Sequence, residues 1–196
     1  MRPYLLFLLA CVCALTGAIA ARGGTGTTPE PAPTTTASTT ATTSTESDAA
    51  APDVVARQLQ RIIDTYRQKV WHWQHVMGNR VTRKLPNPPP DLRARVHVWQ
   101  SVATRTWVRA KHPPHAAAWR CLQRYEGAWT DSGGPYYGGL QMDLTFQRHY
   151  GGYLLRKKGT ANHWTPLEQM WVAERALRAG RGFYPWPNTG RMCGLL

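Results

Sequence analysis

One stretch of the chain, Trp119 to Gln141 (WRCLQRYEGAWTDSGGPYYGGLQ), leaves a folding polypeptide the fewest choices. Ala116 to Tyr125 has a helical pattern, with apolar Trp119 and Leu122 three residues apart. Glu126 continues that stripe four residues after Leu122, so its carboxylate is expected to turn inward. Gly127 stops the helix. A turn-rich loop, Thr130 to Pro135, follows, and then Tyr136-Tyr137-Gly138-Gly139-Leu140-Gln141, two aromatics leading into backbone without side chains.

A carboxyl group so placed has unusual surroundings. Trp129, Tyr136 and Tyr137 can shield it from water, which raises a carboxylate pKa, and the negative end of the helix pushes the same way. A glutamate tuned like this acts as a general acid near neutral pH. Gly138 and Gly139 would let a bulky ligand approach the backbone, and Gln141 supplies an amide donor and acceptor. Together they suit a polymeric sugar in a cleft. The region 116–196 holds 13 of the chain's 20 aromatics, more than packing alone requires, so some are expected to face ligand.

The order Trp119, Cys121, Glu126, Trp129, YYGGLQ, Gly151-Gly152, WTPLEQMWVAE and WPNTGRMC resembles the resuscitation-promoting-factor group of transglycosylase-like domains, lysozyme-like enzymes of bacterial cell walls. The resemblance spans Ala116 to Cys193. It implies that Glu126 is the catalytic acid and base, and that YYGGLQ lines the cleft for peptidoglycan glycan strands. It also implies a disulfide between Cys121 and Cys193. The family usually places its cysteine next to the glutamate, whereas Cys121 lies five residues before Glu126.

The remaining sequence supplies context. Arg2, the apolar run Tyr4–Ile19 and Ala18-Ile19-Ala20 read as a signal peptide over 1–20, too short for a membrane span and implying secretion to the cell wall. An alternative is a lipid-modified Cys11 after Leu8-Leu9-Ala10. Cleavage after Ala20 removes Cys11 and Cys13 and leaves an even pair, which favours a disulfide in an exported protein. Residues 21–52 are rich in Thr, Ala and Pro, with too little apolar surface to fold, and read as a disordered linker.

From Asp53, the expected N-cap, apolar residues recur at helical spacing to Met77; Lys84–Pro90 reads as a proline turn, and a second helix runs from near Asp91 to Lys111. The span 53–112 is thus expected to be an antiparallel α-helical hairpin. It holds 12 Lys/Arg against 3 Asp/Glu, a net charge of +9. That charge suits anionic cell-wall polymers or a solvated spacer, while export argues against nucleic acid. His72 and His75 lie one turn apart, as a metal pair would, without a third ligand; His112 and His115 read as loop residues.

For residues 113–196 the expectation is a small lysozyme-like domain, so that the class is α+β, mainly α. A short helix, Leu144–Tyr153, is expected to end in a glycine turn. Thr165-Pro166-Leu167-Glu168 is a capping box, which makes Glu168 a cap, and Glu174 reads as a structural acid. The Phe183–Pro187 tail is expected to cover the core, with lining one end of the groove as the alternative.

A hydrolase needs a second carboxylate, for which Asp131 and Asp143 are candidates, although a turn role for Asp131 and an N-cap role for Asp143 fit better. A lytic transglycosylase, as the resemblance implies, needs only Glu126 and no metal or cofactor. Three functions follow in order: lytic transglycosylase, muramidase, and a non-catalytic wall-binding protein.

Overall fold

A computed structural model describes residues 47–196, with side chains from residue 52 onward. The spans read as signal peptide and, up to residue 46, as linker lie outside the described residues. Among the described residues the protein is mainly helical, with one small two-stranded antiparallel sheet.

Helix α1 runs Ser47–Met77, six residues earlier than the expected cap at Asp53, so the end of the span read as linker is helical. Ala49, Ala50 and Ala51 are the best helix formers, and Pro52, inside the helix near its start, removes one backbone hydrogen bond. Helix α2 runs Leu92–Ala110, with Asp91 Oδ2 accepting from the Ala94 amide at 2.8 Å.

The two helices run in the same direction, which corrects the antiparallel hairpin. Arg67 of α1 lies 5.8 Å from the Trp99 ring of α2, and six residues further on Trp73 meets Trp107 at 5.1 Å. The connector 78–91 returns alongside α1. Thr82 sits beside Trp71 and Gln74, and Leu85 packs on the cluster of Ile63, Val70 and Trp99. The cause lies in Lys84-Leu-Pro-Asn-Pro-Pro-Pro. Proline fixes φ and pushes its predecessor to extended backbone, so the stretch travels rather than turns. It needs to cover only about 21 Å, the rise of fourteen helical residues.

Helices α3 (Ala116–Glu126), α4 (Leu144–Lys158), α5 (Pro166–Ala176) and α6 (Pro187–Met192) follow, with strands β1 (Tyr136–Tyr137) and β2 (Met142–Asp143) between α3 and α4. The capping box forms as expected, Thr165 and Glu168 bonding reciprocally at the start of α5. Helix α4 does not stop at Gly151-Gly152 but continues to Lys158. A side chain at 151 would lie 2.5 Å from the Trp164 ring, so the glycine serves close helix packing rather than a turn.

One core joins these elements. Trp119, Leu122, Leu140, Met142, Leu154, Trp171 and Trp186 share it with Val76 and Met77 of α1 and Ala110 of α2. The described residues 47–196 belong to one compact unit, so the division drawn at residue 112 does not mark a gap in packing. His72 and His75 dock α1 rather than pair on a metal: His72 Nε2 lies 3.0 Å from Glu168 Oε1, its Nδ1 3.2 Å from the Tyr153 hydroxyl, and His75 stacks on Tyr153 at 4.6 Å. Trp171 Nε1 donates to the Ala110 carbonyl at 2.7 Å, tying the end of α2 to α5. Among the described residues no helix is long and apolar enough to cross a membrane.

Candidate active site

Glu126 is the last residue of α3, carried there by the buried Trp119 and Leu122 two turns and one turn earlier. It is half-buried. Its Oε1 accepts from the Thr189 hydroxyl at 2.6 Å, and no cation pairs with it among the described residues. Gln123 holds the helix end, donating from Nε2 to the Gly127 carbonyl at 2.7 Å while its own carbonyl accepts from the Gly127 amide. Gly127 itself has φ 151°, a conformation that side chains disfavour.

Gly127 brings the next groups in. A side chain there would lie 3.1 Å from Asp131 Oδ2 and 3.2 Å from Gln141 Nε2. Those two atoms bond to each other at 2.7 Å, and Gln141 Nε2 also reaches the Gly138 carbonyl at 3.1 Å. Asp131 Oδ1 closes a turn by accepting from the Gly133 amide at 2.9 Å. The Gly133 amide first, then the Gln141 amide, hold its carboxyl below the usual aspartate range. Asp131 is therefore the turn residue its sequence suggested, and it is also a fixed anion beside the glutamate-bearing helix end.

The glycine pair plays a different part from the one expected. Gly138 and Gly139 are buried, and their open faces are occupied by the protein itself: Gln169 against Gly138, and Gln123 and Trp129 against Gly139. Gln169 is the hub. Its Oε1 accepts from the Gly139 amide at 2.9 Å, and its Nε2 reaches the carbonyls of Trp129, Ala161 and Trp164 at 2.7 to 3.1 Å. The glycines thus fix the loop and do not open the backbone to a ligand.

The strands sort the remaining candidates. Tyr136 pairs with Asp143 and Tyr137 with Met142. Cross-strand partners share a face, so Tyr137 turns to the core with Met142, while Tyr136, 50% exposed, and Asp143 face solvent. Asp143 caps α4, accepting from the Phe146 amide at 2.7 Å. It does not share a face with Gln141, because Gln141 takes φ 46° and breaks the extended run. Trp129 is half-buried against the core.

Glu126 lines none of five surface cavities found among the described residues. One, of about 300 Å³, opens beside Asp143 and is lined by Phe146, His149, Tyr150 and Arg181.

Cys121 and Cys193 form a disulfide, with Cα atoms 6.0 Å apart across 72 residues. Cys193 directly follows α6, four residues after Thr189, so the bridge fastens α6 to α3 and sets the Thr189 hydroxyl against Glu126. Thr189 and Gln169 are the site residues that sequence reasoning missed. Neither had a local signal, since each acts through a partner 40 or more residues away or on another element. Trp186, at 4% exposure, covers the core and donates to the Leu140 carbonyl at 2.7 Å.

No family model matches this chain, and no curated protein or solved structure proves similar to it.

Proposed function

We propose that the chain is a secreted, peptidoglycan-cleaving enzyme of the resuscitation-promoting-factor kind, with a lysozyme-like catalytic region that works as a lytic transglycosylase. The observation that carries this reading is the Glu126 carboxylate: half-buried, bonded to a single hydroxyl, free of cations among the described residues, and beside the Gly127–Asp131–Gln141 wall. Its second oxygen is free to meet a substrate. The exposed Tyr136 ring and the partly exposed Trp129 offer faces to sugar rings. Secretion rests on the sequence of residues 1–20 alone.

In this reading Glu126 gives its proton to the oxygen linking N-acetylmuramic acid to N-acetylglucosamine, and the C1–O bond breaks. The muramyl 6-hydroxyl oxygen then attacks C1, and Glu126 takes the proton that this hydroxyl loses. The product is a 1,6-anhydromuramyl end, with no water consumed and one carboxyl group used twice. The test is Glu126→Gln. The variant is expected to fold with unchanged melting behaviour and to lose peptidoglycan cleavage by about 10²–10⁴-fold; cleavage at the native rate removes Glu126 from the chemistry.

One observation favours a second reading. Of the two spare carboxylates, Asp131 is the one near the helix end and is held ionised by its hydrogen bonds, whereas Asp143 faces away as a cap. A muramidase would use that anion to stabilise the positive charge at C1 and admit water. Mass spectrometry of the products separates the two: anhydro ends for the transglycosylase, reducing ends for the hydrolase.

A further inference from the structure

Because α1 and α2 run parallel, the connector between them lies along the outside of α1 and gathers charges that are far apart in sequence. Arg80, Arg83 and Lys84 line one open cavity of about 840 Å³. Arg83 and Lys84 also line a second, of about 480 Å³, together with Arg67, Arg95 and an apolar floor of Leu85, Pro88 and Trp99. The two cavities share Arg83 and Lys84 in their linings and make a basic groove along the connector. None of Arg80, Arg83 and Lys84 pairs with a carboxylate among the described residues. Of the nearby acids, Asp64 pairs with Arg67 at the groove's edge, at 2.9 Å, and Asp91 caps the first turn of α2.

The groove is built rather than draped. Thr82, in the middle of the basic run, is fixed three times over: its carbonyl accepts from Trp71 Nε1 at 2.6 Å, its amide donates to Gln74 Oε1 at 2.8 Å, and its hydroxyl accepts from Gln74 Nε2 at 2.9 Å. Arg95 reaches back to the carbonyls of Pro89 and Pro90 and pins the proline stretch. The connector's backbone is thus held in place before any ligand arrives, which lowers the ordering cost of binding.

We propose that this groove binds a linear polymer carrying repeated phosphate groups, and so anchors the protein independently of the site at Glu126. A row of exposed, unpaired cations on a held backbone matches evenly spaced anions on a chain, and guanidinium groups suit phosphate oxygens. Nucleic acid fits less well, because neither Trp99 nor Trp71 beside the groove has a face open for base stacking. Trp99 is 5% exposed, and the Arg67 guanidinium lies over Trp71, 4.7 Å from its ring centroid.

The test uses the full chain and inorganic polyphosphate as probe. Arg83→Glu with Lys84→Glu is compared with a charge-matched control on α4, Arg156→Glu with Lys157→Glu, with circular dichroism showing that both stay folded. The proposal expects salt-sensitive binding that weakens about tenfold or more in the groove variant and about twofold or less in the control. Equal loss in both variants, or no binding by the native chain, overturns it, because net charge alone would then explain the result. Tighter binding of single-stranded DNA of equal charge also overturns it, in favour of nucleic acid.

Discussion

Helix α5 and the end of α3 both carry glutamates, and the protein treats them in opposite ways. Glu168 and Glu174 on α5 are each 1% exposed. Glu174 accepts from the His115 amide at 2.7 Å and from Trp119 Nε1 at 2.8 Å, with His115 Nδ1 3.1 Å away. Glu168 meets Lys158 Nζ at 2.7 and 2.8 Å, His72 Nε2 at 3.0 Å and the Thr165 amide at 2.7 Å. Burial would raise its pKa, but the hydrogen bonds from His72, Lys158 and Thr165 and the Lys158 charge outweigh it and hold the group at about 2. Glu126 has one hydroxyl partner and partial access to water. A buried carboxylate whose lone pairs are filled holds elements together; one left unfilled at a surface is available to a ligand.

The sharpest way to break this contrast is to remove an acid from each region. Glu174→Ala strands the His115 amide and the buried Trp119 N–H, and is expected to cost about 3 kcal/mol or more, seen as a melting temperature lower by roughly 10 °C. Glu126→Gln is expected to shift stability by no more than about 0.5 kcal/mol while lowering cleavage about 10²–10⁴-fold. If both variants melt alike, the distinction between structural and available acids fails.

Acid titration probes the same contrast through Glu168. Its folded-state pKa lies below the ordinary value of 4.5. The stabilisation is therefore fully present above that value and is lost as the pH falls from about 4.5 toward 2. The expected loss is on the order of 2 kcal/mol after discounting for the partly solvated His72 and Lys158. Urea unfolding at a series of pH values measures it, and Glu168→Gln is expected to flatten the slope.

The smallest effect concerns Thr189, a positioning residue for Glu126. Thr189→Ala is expected to lower kcat about tenfold at unchanged substrate affinity, the equivalent of one hydrogen bond. Thr189→Ser should restore it, since only the hydroxyl is required; failure of the serine to do so would make the contact a packing detail.

Much of the local structure was legible because it depends on neighbours in sequence. The stripe ending at Glu126, the Thr165–Glu168 capping box and the Asp143 cap are settled within three or four residues. The glycine pairs were misjudged for the converse reason. Gly138-Gly139 and Gly151 mark close approach, but only the fold says what approaches: Gln169, Trp129 and Trp164 of the protein itself rather than a ligand or a turn.

The direction of α2 failed in the same way. Hydrophobic spacing specified the two helices but not their relative sense, which the reach of a proline-rich connector decided. By itself, then, the sequence determined the helices, their caps, the basic charge of 53–112 and the glutamate at a helix end. Tertiary structure decided which acids are saturated, set Thr189 against Glu126 through the Cys121–Cys193 bridge, and gathered Arg67, Arg83, Lys84 and Arg95 into one groove. The reason is physical: propensity and capping act over one helical turn, whereas burial and pairing depend on contacts that only the completed fold supplies.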